Sequence, residues 1–428
     1  MFLIFSQHIT NRLQYTCDFV FKELLHCEYS ITAAIEDFKQ FTGPKLNYTH
    51  TKLSEEEFWL LPHGLLFENN IQPQHIDCFT HNNKKAFFKS SGGDLAFDIF
   101  ATTFYLLSRY EEYLPHSKDE YGRYHYKESV AYKEDFLQLP LINYWIKDFA
   151  LALQARLPAF NFQFSTFSFL PTYDIDIAYS YKGKGFIRNI GGFLQAPSLE
   201  RILVLLGIKR DPFDSYYWLH ALHKHQNLHP VYFFLVAQKN GIYDKNILPF
   251  KPCMENLIAE HAAKYITGIH PSWQSGDDET MLKREKDILE FLSGRFVTFS
   301  RQHYIRFNLP AGYRRLIEAA ITDDHSMGYG NINGFRASVA SSFYWFDLEK
   351  NEITTLRIHP FCYMDANSFY EQQHTAQQAF DEMMYYYKVC KEVNGTLITL
   401  WHNNFVGTDK QFAGWRNVYE KFILQVQL

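Results

Sequence analysis

The chain has 428 residues, 46% hydrophobic and 21% charged, a globular balance long enough for two domains rather than one. A formal net charge of -5, with no long basic stripe, excludes the electrostatic footprint of a nucleic-acid binder. No apolar run reaches the roughly eighteen residues a membrane span needs, so a cytoplasmic protein without a transmembrane segment is expected.

Residues 1–5 are apolar but carry no basic stretch before them, and Ser6, Gln7 and His8 follow at once. They read as a first strand rather than a signal peptide. The region to about residue 160 mixes helical patterns, at 12–25 and 96–113, with short strands. In the second helix Phe97, Phe100, Phe104, Leu107 and Tyr110 recur at helical spacing. An N-terminal α+β domain over 1–160 is expected, packed on the rest and supplying no catalytic side chain. Asp119-Glu120-Tyr121-Gly122-Arg123 reads as a polar turn, and His50, His63, His75 and His81 have no ligand spacing. The six cysteines include no Cys-x-x-Cys pair and are expected to be reduced thiols.

Beyond residue 160 short apolar runs alternate with helical stretches, the pattern of β/α units. Strands are expected at 164–173, 230–237, 265–270, 296–300, 319–323 and 396–401, and helices at 213–225, 253–264, 278–292, 310–320 and 372–393. Such a series lies open or closes into a barrel, and in either form its functional groups gather where strands end. Residues 179–208, basic and partly amphipathic, interrupt the series after its first strand. They read as an ordered insertion, with a mobile flap over anionic material as the alternative.

The first strand ends in Thr172-Tyr173-Asp174-Ile175-Asp176. Carboxylates two apart on a strand share a face and repel, so one is pushed towards protonation unless a cation compensates. A metal ligand beside a general base satisfies this, whereas a retaining glycosidase pair does not, because residues two apart on one strand cannot flank opposite faces of a sugar ring. Exposed aspartates capping a strand end satisfy it too. Three later strands end in histidines. Gly268-Ile269-His270-Pro271 carries one, and Ser300-Arg301-Gln302-His303-Tyr304 carries a second, whose period of two puts Arg301 and His303 on one face. Leu400-Trp401-His402 carries the third.

In order and spacing these motifs resemble the polysaccharide deacetylase (NodB-homology) family, carbohydrate esterase family four, in a divergent bacterial branch with an extra N-terminal domain. The resemblance covers roughly residues 165–405. It implies an α/β fold, a distorted (β/α) barrel over 161–428, and metal-dependent hydrolysis of N-acetyl groups on an amino-sugar glycan or glycan precursor. Carried over residue by residue, it makes Asp174 the general base and Asp176 and His270 metal ligands. Arg301 orients the base, the backbone N–H of Tyr304 serves the oxyanion hole, and His402 is the general acid. Asp324 takes the place of the aspartate that tunes that histidine. Trp273, Trp401 and Arg336 are the candidates for substrate contact, Arg336 through a carboxylate or phosphate. The family's second metal histidine is replaced by Gln274, and His303 stands where a proline is usual, so His303 is the candidate third ligand of a divalent metal, expected to be zinc. The missing histidine also supports an alternative, a non-catalytic glycan-binding pseudoenzyme with incomplete metal ligation.

Overall fold

A computed structural model describes residues 2–195 and 197–426; Met1, where the first expected strand begins, lies outside them. The N-terminal strands β1 (Phe2–Phe5), β2 (Tyr29–Thr32), β3 (Lys45–Tyr48) and β4 (Phe58–Leu60) form a parallel sheet in the order β2-β1-β3-β4. A small antiparallel hairpin, β5 (Phe79–His81) and β6 (Lys84–Ala86), follows. The fully buried helix Ile99–Leu107 is started by Asp98, whose side chain accepts from the amides of Phe100 and Ala101, satisfying two of the donors a helix start leaves open.

The larger sheet holds β7 (Ser168–Ile175), β8 (Val231–Phe234), β9 (Ile266–Ile269), β10 (Phe299–Ser300), β11 (Asp323–Asp324), β12 (Phe343–Asp347), β13 (Glu352–Ile358), β14 (Tyr363–Met364) and β15 (Thr396–His402). Their order is β12-β13-β11-β10-β9-β8-β7-β15-β14. All neighbours are parallel except the β12–β13 hairpin. Strands such as Val-Tyr-Phe-Phe in β8 are buried throughout, as parallel strands covered on both faces must be. Helices cross between them. Glu279–Ser293, capped by Asp278 at its start and by left-handed Gly294 at its end, returns the chain from β9 to β10. Thr375 and Gln378 form a capping box on Ala376–Glu392, which precedes β15.

The expected closed barrel is corrected here: among the described residues β12 and β14 pair on one side only, and the sheet is open. Its edges are an antiparallel hairpin and a two-residue strand, neither of which meets the other to complete a ring.

The N-terminal region packs against this sheet. Tyr15 and Phe104 meet the Phe346 ring at centroid distances of 5.0 and 5.2 Å, and Tyr15 donates to the Tyr344 carbonyl. Deeper in the contact Glu112 takes both arms of Arg336, at 2.8 and 2.6 Å, and the Nε of Arg109. Burial alone would raise the Glu112 carboxyl, but the two guanidiniums bring it down to about 2.

The insertion after β7 is helical, over Phe186–Gln195 and Leu199–Leu205. The six cysteines are free thiols.

Candidate metal centre and its cleft

Parallel strands present all their carboxyl ends at one edge of the sheet, and the register brings His402 level with Asp174 and Ser300 level with Ile269. The residues just past those ends therefore converge. Asp176, His270 and His303 each offer a ligand atom, all within 4.8 Å of one another. His270 Nε2 is 3.1 Å from Asp176 Oδ1 without a hydrogen bond between them. His303 Nε2 lies 3.4 Å from Asp176 Oδ2, as does His402 Nε2. Imidazole nitrogens and a carboxylate that face a common point rather than bond each other suit a divalent cation with an open coordination side.

The electrostatics agree with that fit. Burial would raise the Asp176 carboxyl, but the imidazoles of His303, His270 and His402 hold it well below the usual carboxylate range. Burial would likewise lower His303, yet Asp176 and Asp244 take it up to about 9. The carboxylate attracts positive charge, and it raises the neighbouring imidazoles of His303 and His402 accordingly.

Both histidines of the cluster are oriented from behind. His270 Nδ1 bonds the Arg301 carbonyl at 2.5 Å, and His303 Nδ1 bonds Asp244 Oδ1 at 3.0 Å. Asp244, on the loop after β8, is itself fixed by the amide of Trp273. Such partners set the tautomer and angle of a metal-binding imidazole. His303 arrives by a route other than the expected one. β10 stops at Ser300, and His303 is carried by a single 3-10 turn, His303–Ile305, in which Tyr304 and Ile305 have φ of 59° and 54°. Gln274 is exposed on a turn and is not among the residues that line the cleft.

Asp174 sits beside this cluster, 2% exposed. Its Oδ1 receives Arg301 Nη1 at 2.9 Å, while Arg301 also donates to Thr172 Oγ1 and the His325 carbonyl. That leaves Asp174 Oδ2 on the side of His270, 3.6 Å from its Nε2. On the opposite flank His402 Nδ1 meets Asp365 Oδ1 at 2.7 Å, and Asp365 Oδ2 accepts from the His402 amide. Burial works against a charged His402, but Asp365 and Asp176 raise it well above the ordinary imidazole value, which favours its protonated form.

Three expected positions are corrected. Asp324 is buried in β11, where Ser300 Oγ and Ser326 Oγ bond its carboxylate; the group on His402 is Asp365. Arg336 is spent on Glu112 and the Gly328 carbonyl and meets no solvent. Trp401 is wholly buried, packed on Tyr419 at 4.5 Å. Trp273 is half-buried and stacks at 4.0 Å on Tyr243, which lines the cleft.

The cleft over the cluster has a volume of about 450 Å³. Tyr121 and Arg123 line it, so the N-terminal region, expected to pack on the rest without supplying a catalytic side chain, reaches the cleft wall. Asp119 Oδ1 accepts from the amides of Tyr121 and Arg123 to tie the turn, and its other oxygen holds Arg123 Nε at 2.6 Å. Arg123 Nη1 then donates to the Tyr304 carbonyl at 2.7 Å. A β-branched residue at positive φ is costly, and this arginine braces the segment where Tyr304 and Ile305 adopt it.

A family model described as a family of unknown function, DUF7033, matches residues 2–158. No curated protein matches the chain. Among solved structures, a probable polysaccharide deacetylase from Pseudomonas aeruginosa PAO1 is similar at 14% identity and a TM-score of 0.38, over 60% of this chain and 83% of that one. The polysaccharide deacetylase Bc1974 from Bacillus cereus is similar at 9% identity and a TM-score of 0.31, over 61% and 88%. The Puue allantoinase is similar at 12% identity and a TM-score of 0.38, over 60% and 83%. No helix among the described residues is long and apolar enough to cross a membrane.

Proposed function

We propose that the chain is a metal-dependent hydrolase that removes N-acetyl groups from an amino-sugar glycan or glycan precursor, with residues 1–160 as a domain that helps wall the cleft. The observation that carries this reading is the ligand cluster of Asp176, His270 and His303 set between an arginine-held carboxylate and a carboxylate-held histidine. A divalent cation bound by the three ligands, zinc by their chemistry, would supply Lewis-acid activation of water and of the amide carbonyl.

The chain's own groups divide the proton work. Asp174, with one oxygen fixed by Arg301, takes the proton of the attacking water through its other oxygen. Nothing among the described residues accepts from the Tyr304 N–H in the strained turn, which leaves it free to donate to the developing oxyanion. His402, kept protonated by Asp365, gives its proton to the departing amine. Tyr121, Tyr243 and Tyr304 wall the cleft with ring faces suited to the apolar side of a pyranose.

The pseudoenzyme reading rested on the absence of a second metal histidine. His303 in that corner, seated by Asp244, supports the enzyme reading over it. The test is metal content of the purified protein together with acetate release from a panel of N-acetylated sugars and peptidoglycan fragments, by wild type, Asp174→Asn and His402→Ala. Release by wild type and loss of about a hundredfold or more in each variant supports the assignment. No release by metal-loaded wild type across the panel returns the protein to the binding class, and equal release by all three shows the residues misassigned.

A further inference from the structure

The insertion between β7 and the helix Tyr216–His225 carries the densest run of exposed large apolar side chains among the described residues. Leu194 is 75% exposed, Leu199 70%, Leu206 66% and Ile208 71%, with Ile190 and Ile202 also open to solvent. They are not scattered. Ile190 and Leu194 are four apart on one helix, and Leu199, Ile202 and Leu206 follow at intervals of three and four on the next, so each helix turns one apolar face outward. Val204 points the other way and is buried. The two helices are braced as a unit, since Arg201 Nη1 donates to the Asn189 carbonyl and Ser198 caps the second helix.

The surrounding charge is opposite to that of the whole chain. Residues 182–214 contain Lys182, Lys184, Arg188, Arg201, Lys209 and Arg210 against Glu200, Asp211 and Asp214, with Lys209 paired to Glu200, so the segment is net positive in a protein of net charge -5. The root of the insertion is fixed close to the cleft. The Asp211 carboxylate accepts from the amides of Ser180, Tyr181 and Lys182. Asn403, next to His402, donates to the carbonyls of Ile177 and Phe213.

We propose that this insertion docks the protein on an anionic lipid bilayer, its apolar face among the upper acyl chains and its basic residues at the headgroups. Apolar faces flanked by lysine and arginine are what an interfacial helix requires. Charge complementarity selects this occupant over a second copy of the chain, because a two-fold contact would press two like-charged basic faces together.

Co-sedimentation of the full chain with sucrose-loaded vesicles tests this without reference to catalysis. Vesicles of phosphatidylcholine mixed with phosphatidylglycerol should pellet the protein at low salt, phosphatidylcholine alone should not, and added salt should release it. Lys182→Ala with Arg210→Ala should weaken binding about fivefold for each charge removed. Leu194→Asp with Leu206→Asp should abolish it, and Ile208→Asp, outside both helices, repeats that test should the double variant fail to fold by circular dichroism. Failure of the wild type to bind anionic vesicles overturns the proposal, as does binding that ignores these substitutions, or a solution dimer that Leu194→Asp dissociates.

Discussion

Metal binding at Asp176, His270 and His303 should release protons, and its pH dependence follows from the structure. Without a cation His303 is pushed up to about 9, burial being outweighed by Asp176 and Asp244, so at pH 7 the protonated form that a metal must displace is favoured. The sign is fixed by that raised value. The protonated form dominates below about 9, and each unit of falling pH weakens apparent zinc affinity by at least about tenfold. Between pH 6 and 8 this amounts to at least about a hundredfold, or roughly 2.7 kcal/mol. Chelator competition across that range gives the slope, and calorimetry in buffers of different ionisation enthalpy counts the protons. His303→Ala should bind zinc far more weakly and lose that share of the slope. Asp244→Asn should lower affinity at pH 9 about 10- to 100-fold, the usual effect of freeing an oriented imidazole. Affinity independent of pH from 6 to 8, or Asp244→Asn with unchanged affinity at pH 9, would refute the argument that His303 is a ligand held by Asp244.

Asp365→Asn should leave zinc content unchanged and move the alkaline limb of the turnover profile to lower pH, because it removes the nearer of the two carboxylates that raise His402; a pH series of acetate release reads it, and about a hundredfold loss at pH 8 is expected. Arg123→Ala should lower turnover with little change in KM and no change in zinc content, since it unbraces the Tyr304 carbonyl, whereas Arg123→Lys should recover part of the loss. Glu112→Gln should destabilise the fold by about 3–5 kcal/mol in urea unfolding, because it leaves Arg336 and Arg109 buried without their shared carboxylate. The Glu112 carboxyl is depressed to about 2, so its contribution is fully present above the ordinary glutamate value and is lost as pH falls from there towards 2.

The β/α alternation and the rule that strand ends gather function were readable because the central strands are continuous apolar runs that end in polar residues. The strands of the larger sheet not expected from the sequence are β12, β13 and β14, of which β13 is a regular seven-residue strand and the other two are irregular or short. The segment Phe343–Asp347 is aromatic without alternation, and β14 has two residues, so neither registered as a strand. That single omission explains the error at His402. Asp324 and Asp365 both sit at or just past a parallel strand's end, but β11 is five strands from β15 in sheet order while β14 is its neighbour. With β14 seen, Asp365 follows from the same rule that placed His270. Asp244 gave no such signal, since the loop after β8 is long and nothing in its sequence fixes which carboxylate turns back to meet His303.

Arg336 and Trp401 show a different limit. Residue type marks both as able to meet a sugar, and adjacency to a motif placed them near the site. A guanidinium beside a buried glutamate, however, is worth more as its partner than as a free cation, and a tryptophan on a central strand points alternately to cleft and core. His402 takes the cleft side of β15, which sends Trp401 to the core against Tyr419. Part of the cleft wall comes instead from the turn at Asp119–Arg123, unremarkable in sequence because its aspartate and arginine satisfy each other within five residues. Its reach across to Tyr304 makes the N-terminal region part of the site's architecture, and ties the conformation of the turn bearing His303 to a segment some 180 residues away in sequence.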